Sequence, residues 1–296
     1  MRHSTPLETI HTIEWMKQEA RQARAEGRSA GLVPTMGALH AGHISLVRAA
    51  LGECQPVIAS IFVNPSQFGP NEDFQKYPRA FEADAQKLED AGVDYLFAPE
   101  AAEIYPPGFR TWVNVEGLSD RLEGRVRPGH FRGVTTVVLK LLEIVQPQKA
   151  FFGRKDAQQA RIIRQMARDL HLDSEIVVCP IVREADGLAM SSRNAYLNPK
   201  ERRAATILFR ALDGARASIA RGERDALRIT AAMREALRSE PLAEADYVEL
   251  VDAETLDPVT RLRGACLALL AARVGPVRLI DNLLIEERDG EFLTTL

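Results

Sequence analysis

The chain has 296 residues, 46% of them hydrophobic, with 41 acidic against 38 basic side chains and a formal net charge of −3. That length and apolar content allow one large or two medium domains with real cores, and the charge gives no support for nucleic acid as the main partner. Three cysteines, far apart and in no C-x-x-C pair, suit a reducing compartment; no apolar run approaches the ~20 residues that span a bilayer, and Met1–Thr12 carries no signal-peptide core, so a cytoplasmic protein with no membrane partner is expected.

Helical periodicity runs from about Ile10 to Glu26 and is broken by Gly27. Ala30–Pro34 reads as a short apolar strand, Ile44–Leu51 as helix, and Val57–Val63, β-branched and uncharged, as a buried strand. Asn64-Pro65 ends that strand, and a loop rich in turn residues leads to Pro78. Arg79–Ala91 is a predicted helix with Gly92 as its C-cap, Tyr95–Ala98 a strand, and Gly133–Val145 an apolar helix stopped by Pro147. Ala150–Phe152 and Glu175–Cys179 are further strands, separated by a helix from about Asp156 to His171. This βαβα alternation predicts a Rossmann-like, doubly wound parallel sheet with right-handed crossovers.

After Pro180 the pattern changes. Two charged helical segments, near Pro199–Arg221 and Arg224–Ser239, precede strand-like runs at Asp246–Val251, Leu267–Arg273 and Val277–Ile280. A boundary near Ile181–Val182 divides the chain into an α/β domain over residues 1–181 and a smaller α+β domain over residues 182–296.

The most informative stretch is Val33 to His43. It joins a strand to a helix through a turn with two glycines and two histidines, the geometry that offers backbone N–H groups and a positive dipole end to a phosphate. His40 and His43 are three apart and share a helix face. A zincin site would need histidines four apart and a glutamate, which are missing here. Open α/β sheets bind ligands beyond the carboxyl ends of their strands, and three other predicted strand ends also carry dense polar groups. These are Asn64 to Phe68; Gly153 to Gln159; and Arg183 to Gly187 with Met190 to Asn194.

Each cluster has a chemical task. Lys155 is a point charge for phosphate oxygens; Ser191, Ser192 and Arg193 give hydroxyl and guanidinium donors in one short loop. Asp156 suits a ribose hydroxyl or a metal-bound water. Gln67 and Gln159 are neutral amides able to bind hydroxyl and carboxylate groups. His130, in a basic loop before a helix, is either a third phosphate contact or a cap for that helix. No Ser/His/Asp or Cys/His nucleophile pair stands out, which fits a reaction run by positioning and electrostatics.

PTMGALHAGH, SIFVNPSQF, Tyr77-Pro78-Arg79, RPGHFRGV, FFGRKDAQQ and VREADGLAMSSRN, in this order over about residues 30–200, resemble the pantothenate synthetase (pantoate–β-alanine ligase) family. The histidine element is the HxGH form of a nucleotidyltransferase superfamily signature shared with class I aminoacyl-tRNA synthetases, and MSSRN stands where that superfamily has KMSKS. The resemblance implies that the carboxylate of pantoate attacks the α-phosphorus of ATP to give pantoyl adenylate and pyrophosphate. The amine of β-alanine then attacks the acyl carbon and AMP leaves. It places Met36, Gly37, Ala38, Leu39, His40, Ala41, Gly42 and His43 at ATP, together with Gly153, Arg154, Lys155, Asp156, Val182, Met190, Ser191, Ser192 and Arg193. His43, His40, Lys155, Ser191, Ser192 and Arg193 are the catalytic candidates. Gln67, Gln159 and His130 are assigned to pantoate, with Gln67 also near β-alanine. Mg2+ is expected with the triphosphate; relatives carry acidic residues on the helix after Tyr-Pro-Arg, and Asp84 is the candidate ligand here. A lid-like C-terminal domain and a homodimer through the N-terminal domain are also implied. Two other classes share the phosphate apparatus: a nucleotidyltransferase that ignores β-alanine, and a non-catalytic ATP-binding module.

Overall fold

The computed structural model describes residues 6–70 and 72–296; Met1–Thr5, part of the N-terminal stretch read above, and Asn71, in the loop before Pro78, lie outside the described residues. The chain forms two compact units. One runs through Arg154 and resumes over Gln158–Pro180; the other comprises Lys155–Ala157 and Ile181–Leu296.

The first unit is a six-stranded sheet. In chain order it contains β1 (Glu8–Ile10), α1 (Ile13–Ala25), β2 (Gly31–Thr35), α2 (Ala41–Glu53), β3 (Val57–Ile61), α3 (Phe81–Ala91) and β4 (Tyr95–Phe97). The single turns α4 (Ala101–Ile104) and α5 (Glu123–Val126) precede α6 (His130–Val145), β5 (Lys149–Gly153), α7 (Ala157–Asp169) and β6 (Glu175–Cys179). Every pairing is parallel, in the order β1-β4-β3-β2-β5-β6.

The strands read as unbroken apolar runs because both faces are covered. Leu32, Ile58, Phe97, Ala150 and Phe152 turn to one side, into a core with Met16 of α1, the apolar stripe of α6 and Ile162, Ile163 and Met166 of α7. Their neighbours Val33, Val57, Ala59, Leu96 and Phe151 turn to the other, against Leu46, Val47 and Ala50 of α2 and Leu88 of α3. Alternation along each strand thus builds two cores from one sheet.

The order reverses between β2 and β5, the topological switch point where such sheets open a crevice. The β2–β5 ladder joins only Gly31 to Lys149 and Leu32 to Ala150. Beyond it the strands part. This explains how Pro34 sits in a central strand. Gly31 N–H and Thr35 C=O bond on the β3 side, so position 34 faces β5, where the ladder has already ended and no donor is missed.

The second unit packs α9 (Ile207–Ala220) and α10 (Ala226–Arg238), preceded by the short α8 (Pro199–Ala204), on an antiparallel sheet. Its strands are β7 (Ala243–Asp252), β8 (Ala265–Val274), β9 (Val277–Arg288) and β10 (Glu291–Thr295), in the order β10-β9-β8-β7.

The expected α/β class with a smaller α+β unit is the one found. Two details differ. The helix predicted from Pro199 to Arg221 is broken after Ala204, where the Thr206 hydroxyl donates to Arg203 C=O at 2.8 Å and competes with the backbone ladder. The edge strands β1 and β10 were absent from the expected elements: β1 is three residues long with only Ile10 buried, and β10 has no fully buried residue. Gly92 caps α3 in the left-handed region, φ +87°, as expected. Among the described residues, no helix is long and apolar enough to cross a membrane.

Candidate active site

The histidine turn lies at the C-terminal end of β2, beside the switch point. Gly37 (φ +81°) and Ala38 (φ +51°) both take left-handed backbone, which reverses the chain over two residues. Ala38 bears a Cβ in that region, so the turn is strained and must be held from outside. Thr35 Oγ accepts from Gly37 N–H at 3.2 Å and donates to Ser60 C=O at 2.6 Å. From α3, Asp84 Oδ1 accepts Leu39 N–H at 2.9 Å, and Lys87 Nζ donates to Leu39 C=O at 2.7 Å. The Leu39 peptide is gripped at both polar atoms.

That arrangement makes Asp84 a support of the turn. Asp84 is buried beneath the turn, with Lys87 Nζ 3.3 Å from Oδ1. Its other oxygen is buried and takes no hydrogen bond among the described residues. Among the described residues no three His, Cys, Asp or Glu side chains gather to hold a metal.

The two histidines cap α2 reciprocally. His40 Nδ1 accepts Gly42 N–H at 3.1 Å, and His43 Nδ1 accepts His40 N–H at 3.2 Å, with the rings 4.1 Å apart. An Nδ1 that accepts must be unprotonated, so each neutral ring carries its hydrogen on Nε2. The turn therefore presents two imidazole N–H donors at a helix N-terminus, where the dipole already favours an anion.

After β3, Asn64 organises the next loop. Its Nδ2 donates to Gln67 Oε1 at 3.0 Å and to Gly133 C=O at 3.2 Å; its Oδ1 accepts from Ser66 Oγ at 2.8 Å and Tyr105 OH at 2.9 Å. Gln67 Nε2 in turn lies 3.0 Å from Met36 Sδ, which joins this loop to the histidine turn. Gly133 of α6 is required here. A Cβ at that position would meet Ser66 O at 2.3 Å and Gln67 Cα at 2.8 Å, so only glycine lets helix and loop approach.

His130 works behind Gln67. Its Nδ1 lies 2.8 Å from Gln67 O and its Nε2 lies 3.1 Å from Arg127 Nη1, while Arg127 is paired with Glu72 at 2.6 Å. Arginine can only donate, so Nε2 accepts and Nδ1–H holds the Gln67 carbonyl. Both ring nitrogens are thus engaged by protein, and the residue supports the Gln67 loop. Burial, then the Arg127 charge, pull its pKa down to about 4, against opposing pulls from the Gln67 carbonyl, Glu72 and Glu123.

The unfolded chain takes up this proton near pH 6.5, the folded one only near 4. Stability is full above about pH 6.5 and falls as pH drops toward 4, by about 3 kcal/mol in all. His130→Gln is expected to flatten this part of the acid limb, read as the difference in urea-unfolding free energy between pH 7 and pH 4.5.

After β5 come Gly153 and Arg154, then two glutamines with separate fates. Gln158 is buried; its Oε1 accepts Glu123 N–H at 3.0 Å, and its Nε2 donates to Leu118 and Arg121 C=O at 2.9 Å each. It clamps the Leu118–Glu123 segment. Gln159 is half-buried, and its amide makes no hydrogen bond among the described residues.

The remaining candidates belong to the second unit. Lys155 Nζ stands 3.9 Å from Asp156 Oδ1. Val182 and Met190 are brought together, Met190 N–H donating to Val182 C=O at 3.0 Å across a hairpin that pairs Arg183 with Ala189. Ser191 caps the turn Ser192–Tyr196 by accepting Arg193 N–H at 3.3 Å. Asp186 at the hairpin tip forms a bidentate pair with Arg202 at 2.7 and 3.1 Å, and that pairing, first of its causes, holds the carboxyl below the usual range.

A parallel sheet open at its switch point, with a donor-rich turn at a helix N-terminus, defines a nucleotide-binding α/β protein. Comparison with known proteins narrows that class. The Pantoate-beta-alanine ligase family profile matches residues 8–284, and the chain belongs to that family. It is 59% identical over 265 residues to a pantothenate synthetase of Acidobacterium capsulatum, covering 90% of this chain and 89% of that one. Among solved structures it is similar to the pantothenate synthetase of Thermus thermophilus, with TM-score 0.89 and 47% identity over 93% of this chain and 98% of that one. It is also similar to the pantoate-beta-alanine ligase of Francisella tularensis complexed with beta-gamma ATP and beta-alanine, with TM-score 0.75 and 36% identity over 93% and 97%.

Proposed function

We propose that this chain condenses pantoate with β-alanine, driven by ATP, through pantoyl adenylate. The observation that carries the reading is the pair of neutral imidazoles, each accepting a backbone N–H at Nδ1 and so donating at Nε2, at the start of α2. In the first step a pantoate carboxylate oxygen bonds to the α-phosphorus and the bond to the bridging oxygen breaks, releasing pyrophosphate. Charge builds on the bridging and terminal phosphate oxygens, where preorganised donors lower the barrier most. His40 and His43 are assigned to that charge as hydrogen-bond donors. In the second step the β-alanine amine attacks the acyl carbon, AMP leaves, and the nitrogen loses its proton.

Gln67 and Gln159 are assigned to pantoate, Gln67 also to β-alanine. Met36 to His43, Gly153 and Arg154 are assigned to ATP in the first unit. Lys155, Asp156, Val182 and Met190 to Arg193 are assigned to ATP from the second. ATP is taken as its magnesium complex, the ion being carried mainly by phosphate oxygens and water, with Asp84, whose Oδ2 takes no hydrogen bond among the described residues, as the candidate protein ligand. The family resemblance also supports a homodimer, which sedimentation of the purified chain tests. The three cysteines are free and buried, in keeping with a cytoplasmic location.

The decisive assay mixes magnesium, ATP and pantoate with and without β-alanine and follows AMP. Multiple turnovers that need β-alanine support the ligase; turnover indifferent to it points to nucleotidyl transfer, and no AMP at all to a binding module. Gln67→Ala is expected to raise the pantoate KM on the order of tenfold to a hundredfold, the scale of one unmade hydrogen bond to a buried polar group, while the KM for ATP stays nearly unchanged. Steady-state titration of each substrate checks it, and a selective loss of ATP affinity would move pantoate elsewhere.

A further inference from the structure

Strand β9 carries two consecutive polar residues, Asp281 and Asn282, within an otherwise apolar run from Leu279 to Ile285. Both are essentially inaccessible to solvent, at 2% and 0% exposure. Burying an amide and a carboxylate in a small core is costly unless each has specific partners, and neither residue belongs to any motif discussed above. Their partners are the informative part. Asp281 takes both terminal guanidinium nitrogens of Arg183, at 2.7 and 3.0 Å, and Arg183 also donates to Gly187 C=O at 3.1 Å. This fixes the hairpin that leads into Met190–Arg193. Asn282 Nδ2 donates to the main-chain carbonyl of Lys155 at 3.1 Å, across 127 positions of sequence. One dipeptide of the antiparallel sheet thus anchors both segments of the second unit that are assigned to ATP phosphates.

We infer that Asn282 is a positioning residue for Lys155: by holding the Lys155 peptide to β9, its amide fixes the origin from which the ammonium reaches phosphate. The inference rests on the assignment of Lys155 to ATP made above. Lys155 sits at the middle of the short Arg154–Asp156 turn, and its hydrogen bond to β9 lies within the second unit, to which Lys155–Ala157 belong. A displacement of about an ångström at a charge-stabilising group is enough to cost a large factor in rate.

The test is pantoate-dependent exchange of pyrophosphate into ATP, which isolates the first step, run on the full-length chain. Lys155→Ala is expected to lower exchange on the order of 10²–10³. Asn282→Ala should lower it by about tenfold or more, with the pantoate KM unchanged. In the Lys155→Ala background the same change should cost less than about twofold, because the group it positions is already gone. Asn282→Asp keeps the size but offers the Lys155 carbonyl no N–H, and should reproduce the alanine effect; it carries the test if the alanine variant does not fold. Equal losses in both backgrounds, or exchange within about twofold of the parent in Asn282→Ala, would overturn the inference while leaving Lys155 in place. So would failure of both variants to fold, which would make Asn282 a core requirement only. An active Lys155→Ala would remove the underlying assignment as well.

Discussion

His43→Ala is expected to lower turnover by on the order of 10²–10³ with little change in either substrate KM, the scale for deleting one preorganised donor at developing charge. The ring does two things. Its Nδ1 accepts His40 N–H and completes the cap of α2, which leaves the ring hydrogen on Nε2 as the donor assigned to phosphate. Losing the cap alone costs about 0.5–2 kcal/mol of stability, which appears in thermal melting. Losing the donor appears in turnover. His43→Gln separates the two, since a glutamine amide restores an N–H donor without reproducing the ring's geometry; partial recovery of turnover is expected. Because Nδ1 is committed as an acceptor, a general-acid role would require protonating the atom that holds the turn. Rate constants from single-turnover adenylation, measured alongside melting curves, decide the matter. Unchanged turnover in His43→Ala would remove the residue from the chemistry.

The largest stability effect is expected at Asp281. Its carboxylate is fully enclosed and bidentate to Arg183, whose side chain is only 13% exposed. Burial pushes this carboxyl up, while Arg183, first among the opposing influences, then the Asn282 N–H and the Lys155 ammonium, pull it back toward the charged form. Asp281→Ala strands a buried guanidinium, which typically costs about 3–5 kcal/mol. For a unit of this size that corresponds to a fall in melting temperature of roughly 10 °C or more. The double variant Asp281→Leu with Arg183→Met should recover most of the loss, because the desolvation of both charges is then avoided. Scanning calorimetry of the parent, single and double variants reads it directly. A single variant as stable as the parent would mean that the pair is not the anchor its geometry indicates.

Much of the fold could be read from residue order because the larger sheet is buried on both faces. Runs such as Val57–Ile61 need no partner to announce themselves, and glycines such as Gly37 and Gly92 mark where the chain must turn. The edge strands were silent for the opposite reason: β1 and β10 bury almost nothing, so no apolar pattern records them. The histidine turn was equally plain, since two imidazoles, two glycines and a helix start occupy a few consecutive positions.

What escaped sequence reading were side chains whose task is set by something distant. Asp84 gives no local sign that it lies under Leu39, 45 positions away. Gln158 and Gln159 are adjacent and chemically identical, yet helix geometry turns the first inward to three backbone groups. His130 could be placed beside the Gln67 loop only once Gly133 allowed α6 to approach it. Asn282 had one faint signal, a pair of polar residues interrupting a buried strand.

The grip of Asp84 and Lys87 on the Leu39 peptide has a consequence for recognition. A nucleotide arriving at this rim meets a finished surface, because the entropy of shaping the turn was surrendered when the chain folded and not at encounter. Fragments smaller than a nucleotide would still face the donors of this turn in their final orientation. Inorganic pyrophosphate and other truncated ligands should therefore bind more tightly, atom for atom, than they would to a loop that assembles around its guest.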